Sequence, residues 1–309
     1  MSNILNIDNF IYKVYGLNVI SDIEIPQLVQ ATIKDIDEID VSIKLGKMPG
    51  KISEYKAKKR KNKYRNNTMW INIDNVAQYY VYKGREILIE PYDESDINDI
   101  RVFLLGTIFG GLLIQRQILA IHGGAIDIDG NGVIITGDSG AGKSTLTSAL
   151  VDLGYNMITD DVAAIRSLDK DGIFIEPAYP QRKLCKDAIN NFGYDLNEFN
   201  KAYGQRDKFF IRIPNKFSYK PVKLKAIFEI CISDNSKVEI EEISGFDKID
   251  IIRKNIYRIE ILNKVGMKEK YFNMLLNLSK DISIYRIKRP LKIFTLKEQI
   301  DEINKVLCR

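Results

Sequence analysis

Residues 137–145 read Gly137-Asp138-Ser139-Gly140-Ala141-Gly142-Lys143-Ser144-Thr145, a complete G-x-x-x-x-G-K-[ST] pattern between an apolar strand and a helix beginning near Lys143. The three glycines let the backbone turn successive N–H groups inward. The start of the following helix adds partial positive charge, so the segment predicts an anion cradle for a phosphate chain. Lys143 is placed to reach the β- and γ-phosphates of a nucleotide, and the Ser144 hydroxyl to hold Mg²⁺. Downstream, the short strand Tyr155 to Thr159 ends in the acidic pair Asp160-Asp161. In open α/β sheets the carboxyl ends of strands carry function, which predicts that this pair lies beside the cradle. Two such carboxylates can divide the work, one binding Mg²⁺ and the other accepting a proton from an attacking hydroxyl. His122 is the single histidine among 309 residues, just before Gly123-Gly124 on the strand that hairpins into the glycine loop. An imidazole there could serve a phosphoryl-transfer step or play a purely structural part.

The elements that must position these residues follow from periodicity. A strand at Leu119 to Ile128 and another at Val133 to Thr136 are joined by Asp129-Gly130-Asn131-Gly132, a tight-turn signal, and the second runs into the glycine loop. Before them, Asp96 to Gln117 reads as one apolar helix with Asp93, Ser95 or Asp96 as N-cap. Residues 1–92 are strand-rich, with β-branched and aromatic runs at 12–17, 40–45, 69–73, 79–82 and 86–89 that suggest an antiparallel sheet. Two domains are therefore expected, 1–92 and 93–309. Past Ala163 the chain reads as irregular to a strand at Leu224 to Ile232. Helices then follow at about Phe246 to Asn263, Lys268 to Leu278 and Leu296 to Leu307, with a strand near Ile282 to Ile287.

Composition narrows the function classes. With 45% hydrophobic and 28% charged residues the chain can bury a sizeable core. Cys185, Cys231, Cys308 and His122 are scattered without CxxC or HxxxH spacing, which argues against a structural zinc site and for a reducing compartment. A net charge of +5 is too mild for nucleic-acid or membrane binding as a main role. The N-terminus has no secretory pattern, and the apolar stretch from Val102 is interrupted by Gln115-Arg116-Gln117, so a buried helix in a cytoplasmic protein is expected. Lys56 to Arg65 carries seven basic residues in ten, which reads as a solvated loop or as a docking strip for an acidic peptide.

Ile121-His122-Gly123, the Asp-Gly-Asn-Gly turn, Ile134 to Ser144 and Asp160-Asp161 together resemble, in order and spacing, the core of the bacterial HPr kinase/phosphorylase family. That resemblance covers about Leu119 to Arg166. It implies an α/β fold with a P-loop kinase core of the HPr kinase and phosphoenolpyruvate carboxykinase type, behind a strand-rich N-terminal region. It also implies Asp160 as catalytic base, His122 by the transferred phosphoryl group, and Lys143 and Ser144 on nucleotide and Mg²⁺; of the acidic pair, Asp161 is then the expected second metal ligand. The chain departs from HPr kinases after the acidic pair, where Glu176 to Leu184 replaces a glycine-containing segment. Tyr15-Gly16-Leu17, Ser21-Asp22, Ile25-Pro26 and Asn255-Ile256-Tyr257-Arg258 are similar instead to HPr-kinase-like proteins that include lasso peptide kinases. The expectation is an ATP- and Mg²⁺-dependent serine kinase acting on a peptide or small protein, compatible with homo-oligomerisation. A nucleotide-dependent switch and a small-molecule hydroxyl kinase remain open. Arg182, Lys183, Arg206, Lys208 and Arg212 are candidates for a second phosphate clamp.

Overall fold

The computed structural model describes residues 9–35, 37–52, 54–55, 60–168, 171–186, 189, 195, 200–201, 208–291 and 293–308. Two compact units result, one of Met1–Ile118 with Glu260–Met267, the other of Leu119–Ile259 with Lys268–Arg309.

In the first unit the described strands are β1 (Phe10–Val14), β2 (Leu17–Ser21), β3 (Val29–Gln30), β4 (Val41–Leu45), β5 (Asn62–Arg65), β6 (Thr68–Ile73), β7 (Ala77–Tyr82) and β8 (Glu86–Pro91). They form one sheet in the order β3-β1-β2-β4-β8-β7-β6-β5. It is not purely antiparallel as expected, because β4 runs parallel to both β2 and β8. The single strand expected over 12–17 is split by a turn at Tyr15-Gly16, where φ is 54° and 70°. Two positive φ values match the right-handed strand twist, and Lys83-Gly84 repeats the device at 53° and 64°. The basic run is not wholly a loop either. Its last four residues form β5, the edge strand, which pairs with β6.

The helix Ile97–Gln115 starts where expected, with the Asp96 carboxylate accepting from the Asn98 N–H at 2.7 Å. Its middle, Leu104–Ile108, widens into a π-turn. At 19 residues it is long and apolar enough to cross a membrane, but 56% of that stretch is buried inside the protein. Tyr79 donates to the Ile100 carbonyl at 3.0 Å, and a side chain at Gly111 would strike Met69. Burying Leu104, Ile108, Phe109, Leu112 and Leu113 against the sheet contributes about 1.5–3 kcal/mol each. This helix therefore belongs to the first unit, and the division along the chain falls after Ile118 rather than at residue 92.

The second unit contains β9 (Leu119–Ile128), β10 (Asn131–Gly137), β11 (Asn156–Thr159), β12 (Val162–Leu168), β13 (Gly172–Glu176), β14 (Gln181–Cys185), β15 (Asn200–Lys201), β16 (Lys208–Arg212), β17 (Val222–Ser233), β18 (Glu239–Ile243) and β19 (Ser283–Pro290). Its large sheet runs β10-β9-β12-β13-β17-β19-β18, with β10 also paired to β17 and β11 to β9. The stretch beyond Ala163 is thus more regular than its prolines suggested. β10, β17 and β19 are parallel, and the ends of all three strands approach the glycine loop from one direction. One expected helix, Phe246 to Asn263, is two: Phe246–Lys254 and Ile259–Val265. The break occurs because residues 255–257 turn their backbone groups toward β9, where Ile256 bridges Ile121.

Candidate active site

The loop after β10 adopts the conformation its glycines permit. Gly137, Gly140 and Gly142 have φ of 136°, 81° and 107°, a region that a side chain strongly disfavours. At Gly137 a Cβ would also meet the Ile230 carbonyl of β17, so the loop begins where two parallel strands run close together. Gly142 precedes the helix Lys143–Asp152 and offers no side-chain cap, which leaves the first N–H groups of that helix for a ligand. The Lys143 ammonium donates to the carbonyls of Gly137 and Asp138, at 2.8 and 3.0 Å. It is held over the loop it would share with a phosphate.

β9 carries His122 into this site between two partners. On one side the Thr136 hydroxyl, last but one in β10, donates to the His122 carbonyl at 2.7 Å. On the other, Gly123 N–H donates to the Asp161 carbonyl at 3.0 Å, and Val162 pairs with His122. The acidic pair, the histidine and the start of the glycine loop are therefore brought together at one edge of the sheet. A third support comes from the helix break: His122 N–H donates to the Asn255 carbonyl at 2.7 Å, and Tyr257 N–H to the Ala120 carbonyl at 2.8 Å. The Tyr257 ring stacks on the imidazole, centroids 5.8 Å apart and planes 24° apart.

The side chains of the pair face different groups. Asp160 Oδ2 accepts from the Lys183 N–H at 3.0 Å. Asp161 Oδ1 lies 3.4 Å from His122 Nδ1, and its Oδ2 lies 3.7 Å from Lys183 Nζ. Burial opposes the charge on Lys183, yet Tyr179, Asp161 and Asp160 outweigh it and raise its pKa above the usual lysine value. Burial also raises Tyr257, and Asp161 adds to that shift, so this phenol stays protonated.

The expected second clamp is only partly assembled. Lys183 faces the acidic pair. Arg182 instead turns into the protein, donating to the Ser148 carbonyl at 3.1 Å and pairing with Asp152 at 3.1 Å, where it braces the helix after the glycine loop. Arg212 lies exposed on β16, Arg206 lies outside the described residues, and so does the side chain of Lys208. Two basic residues not anticipated from the sequence touch the loop directly. Arg289 Nε, at the end of β19, donates to the Ala141 carbonyl at 2.7 Å. Lys254 pairs with Asp138 at 3.1 Å. The available signal was the run Arg286-Ile287-Lys288-Arg289 at the carboxyl end of a strand, the place where α/β sheets bind ligands.

Residues 115–206 match the family described as the HPr Serine kinase C-terminal domain. That span contains His122, the glycine loop, the acidic pair and Lys183. A solved structure, the HPr(Ser) kinase/phosphatase from Coxiella burnetii, is 16% identical, with 60% of this chain and 93% of that chain covered and a TM-score of 0.30. Over residues 115–206 this α/β chain is thus similar to the HPr serine kinase C-terminal domain, and it is a phosphotransferase.

Proposed function

We propose that this protein is a cytoplasmic, ATP-dependent kinase that phosphorylates a seryl hydroxyl on a peptide or small protein. The observation that carries this reading is the convergence of the glycine loop, His122 and Asp160-Asp161 at one sheet edge, with Lys143 poised over the loop. The residues fit a nucleotide. The outward face of Gly140 opens on free space, and the uncapped helix start offers N–H donors. Among the described residues no three His, Cys, Asp or Glu side chains form a cation cage. Mg²⁺ suits such a site, since it takes one or two protein ligands, here Ser144 and Asp161, and fills its shell with phosphate oxygens and water.

Bound MgATP would supply the transferable γ-phosphoryl group and neutralise charge on its oxygens. The chain's own residues do the rest. Asp160, oriented by the Lys183 N–H, accepts the proton of the acceptor hydroxyl as its oxygen forms the new bond to phosphorus and the bond to the ADP oxygen breaks. The amides of residues 137–145 bind the phosphate chain, and Lys143 exchanges its two carbonyl partners for phosphate oxygens. His122 and Lys183 fix Asp161 from two sides. The peptide acceptor, of which a lasso peptide is one example, rests on the likeness of Tyr15-Gly16-Leu17, Ile25-Pro26 and Asn255–Arg258 to lasso-kinase relatives. Incubation with γ-labelled ATP and serine-containing peptides, read by mass spectrometry, should give phosphoserine. Release of free phosphate alone would favour a nucleotide-dependent switch.

A further inference from the structure

A pocket of about 480 Å³ opens in the first unit, unconnected in sequence to the glycine loop. It is lined by Lys51, Lys63 and Arg65, with Tyr55, Trp70 and Tyr80 as its aromatic walls. The basic run gains a physical setting here, because its end is the edge strand β5, which places Lys63 and Arg65 at this pocket. Trp70 is 1% exposed, and its indole N–H is buried with no hydrogen-bond partner. Buried donors are matched almost everywhere in folded proteins, so an unpaired N–H on a residue that walls a pocket calls for an acceptor.

We propose that this pocket binds the side-chain carboxylate of an acidic peptide segment. The ammonium, guanidinium and indole groups only donate hydrogen bonds, and the Asn66, Asn67, Thr68 and Tyr80 side chains that share the wall can donate too, so an anionic acceptor complements the pocket. Lys51 lies with its ammonium 5.1 Å from the Tyr80 ring centroid, held at the pocket wall by the ring. A nucleic acid is the poorer fit. Single strands bind by stacking bases on exposed aromatic faces, whereas Trp70 is packed against Tyr55, rings 5.9 Å apart, and Ile52. The volume lies in the range that encloses one small group, and the cations at the rim would draw an acidic chain toward it. That the bound segment belongs to the phosphate acceptor rests on the peptide-kinase reading; that the pocket binds a carboxylate does not.

Trp70 is the only tryptophan in the chain, so its emission reports on this pocket alone. The full-length protein is titrated with a tetraglutamate peptide, a tetraglutamine peptide, inorganic phosphate and oligo(dT). The expected result is a saturable emission change with tetraglutamate and none with tetraglutamine. The double change Lys63→Ala with Arg65→Ala should weaken binding at least about tenfold, with added salt acting the same way. Lys51→Gln, on an exposed turn, should weaken it in the same direction should the double variant fail to fold. Trp70→Phe, followed by anisotropy of a labelled tetraglutamate, should weaken it through loss of the N–H. The proposal is overturned by no response to tetraglutamate, an equal response to tetraglutamine, or tighter binding of phosphate or oligo(dT). Phosphoryl transfer is not read in this titration, so its outcome leaves the proposed reaction separately testable.

Discussion

At the scale of single residues, Asp160 and Asp161 are told apart by the groups that hold them. Sequence shows two adjacent carboxylates; the fold gives one to a backbone N–H of β14 and the other to His122 and Lys183. No pattern within residues 159–162 could have revealed this, since both partners come from other strands. Lys183 yields a pH prediction. Its folded pKa lies above that of free lysine, so the stabilisation it carries is fully present below about pH 10 and is lost as pH rises through the folded value. The gap in unfolding free energy between wild type and Lys183→Met should therefore stay level from about pH 7 to 9 and close only at higher pH. Denaturant titrations at several pH values check it, and a gap that narrows within that window contradicts it. His122→Ala removes the only imidazole and one of the supports of Asp161. Steady-state kinetics should show kcat reduced on the order of 10²-fold, with ATP affinity retained.

At the scale of elements, the parallel strands β10, β17 and β19 hold the glycine loop from behind. β19 delivers Arg289 to the Ala141 carbonyl, and three residues earlier it pairs a buried carboxylate: Arg286 Nε lies 2.8 Å from Glu229, which is 2% exposed. Arg289→Met should leave the fold intact and weaken ATP binding by about tenfold, because a loop released from its charged donor must be ordered by the ligand. Calorimetry with ATP checks this. Arg286→Ala should cost on the order of 3 kcal/mol, since it strands the Glu229 carboxylate in the core; adding Glu229→Gln should restore much of it. Most of these elements were legible. The hairpin into the loop, the helix from Asp96 and β17 stand where apolar runs and turn residues put them. The helix expected across Phe246 to Asn263 failed at Asn255–Arg258 because β9 offers those backbone groups a competing partner, a tertiary contact that helical periodicity cannot register. The parallel pairings of β4 were equally invisible, since alternation fixes which face a side chain takes and not strand direction.

At the scale of the whole molecule, the chain is two units with an interleaved connection. Residues 260–267 belong to the first unit, although the residues before and after them belong to the second. Ile261 and Leu262 are buried there, so a fragment of residues 119–309 would expose both side chains, together worth on the order of 3–6 kcal/mol. Such a fragment should melt below the full chain or aggregate, as light scattering and thermal unfolding would show. The division of 1–92 from 93–309 missed this because apolar content marks the helix Ile97–Gln115 as buried without saying against which sheet. The glycine loop, by contrast, was readable in full, since backbone conformation and ligand chemistry both demand those residue types at that spacing. The central claim is that Asp160 takes the acceptor's proton while the loop binds nucleotide independently of it. The most direct test compares wild type and Asp160→Asn for phosphopeptide formation and for ATP affinity. The account predicts transfer reduced by about 10²–10⁴-fold with nearly unchanged ATP affinity; equal loss of both, or undiminished transfer, would contradict it.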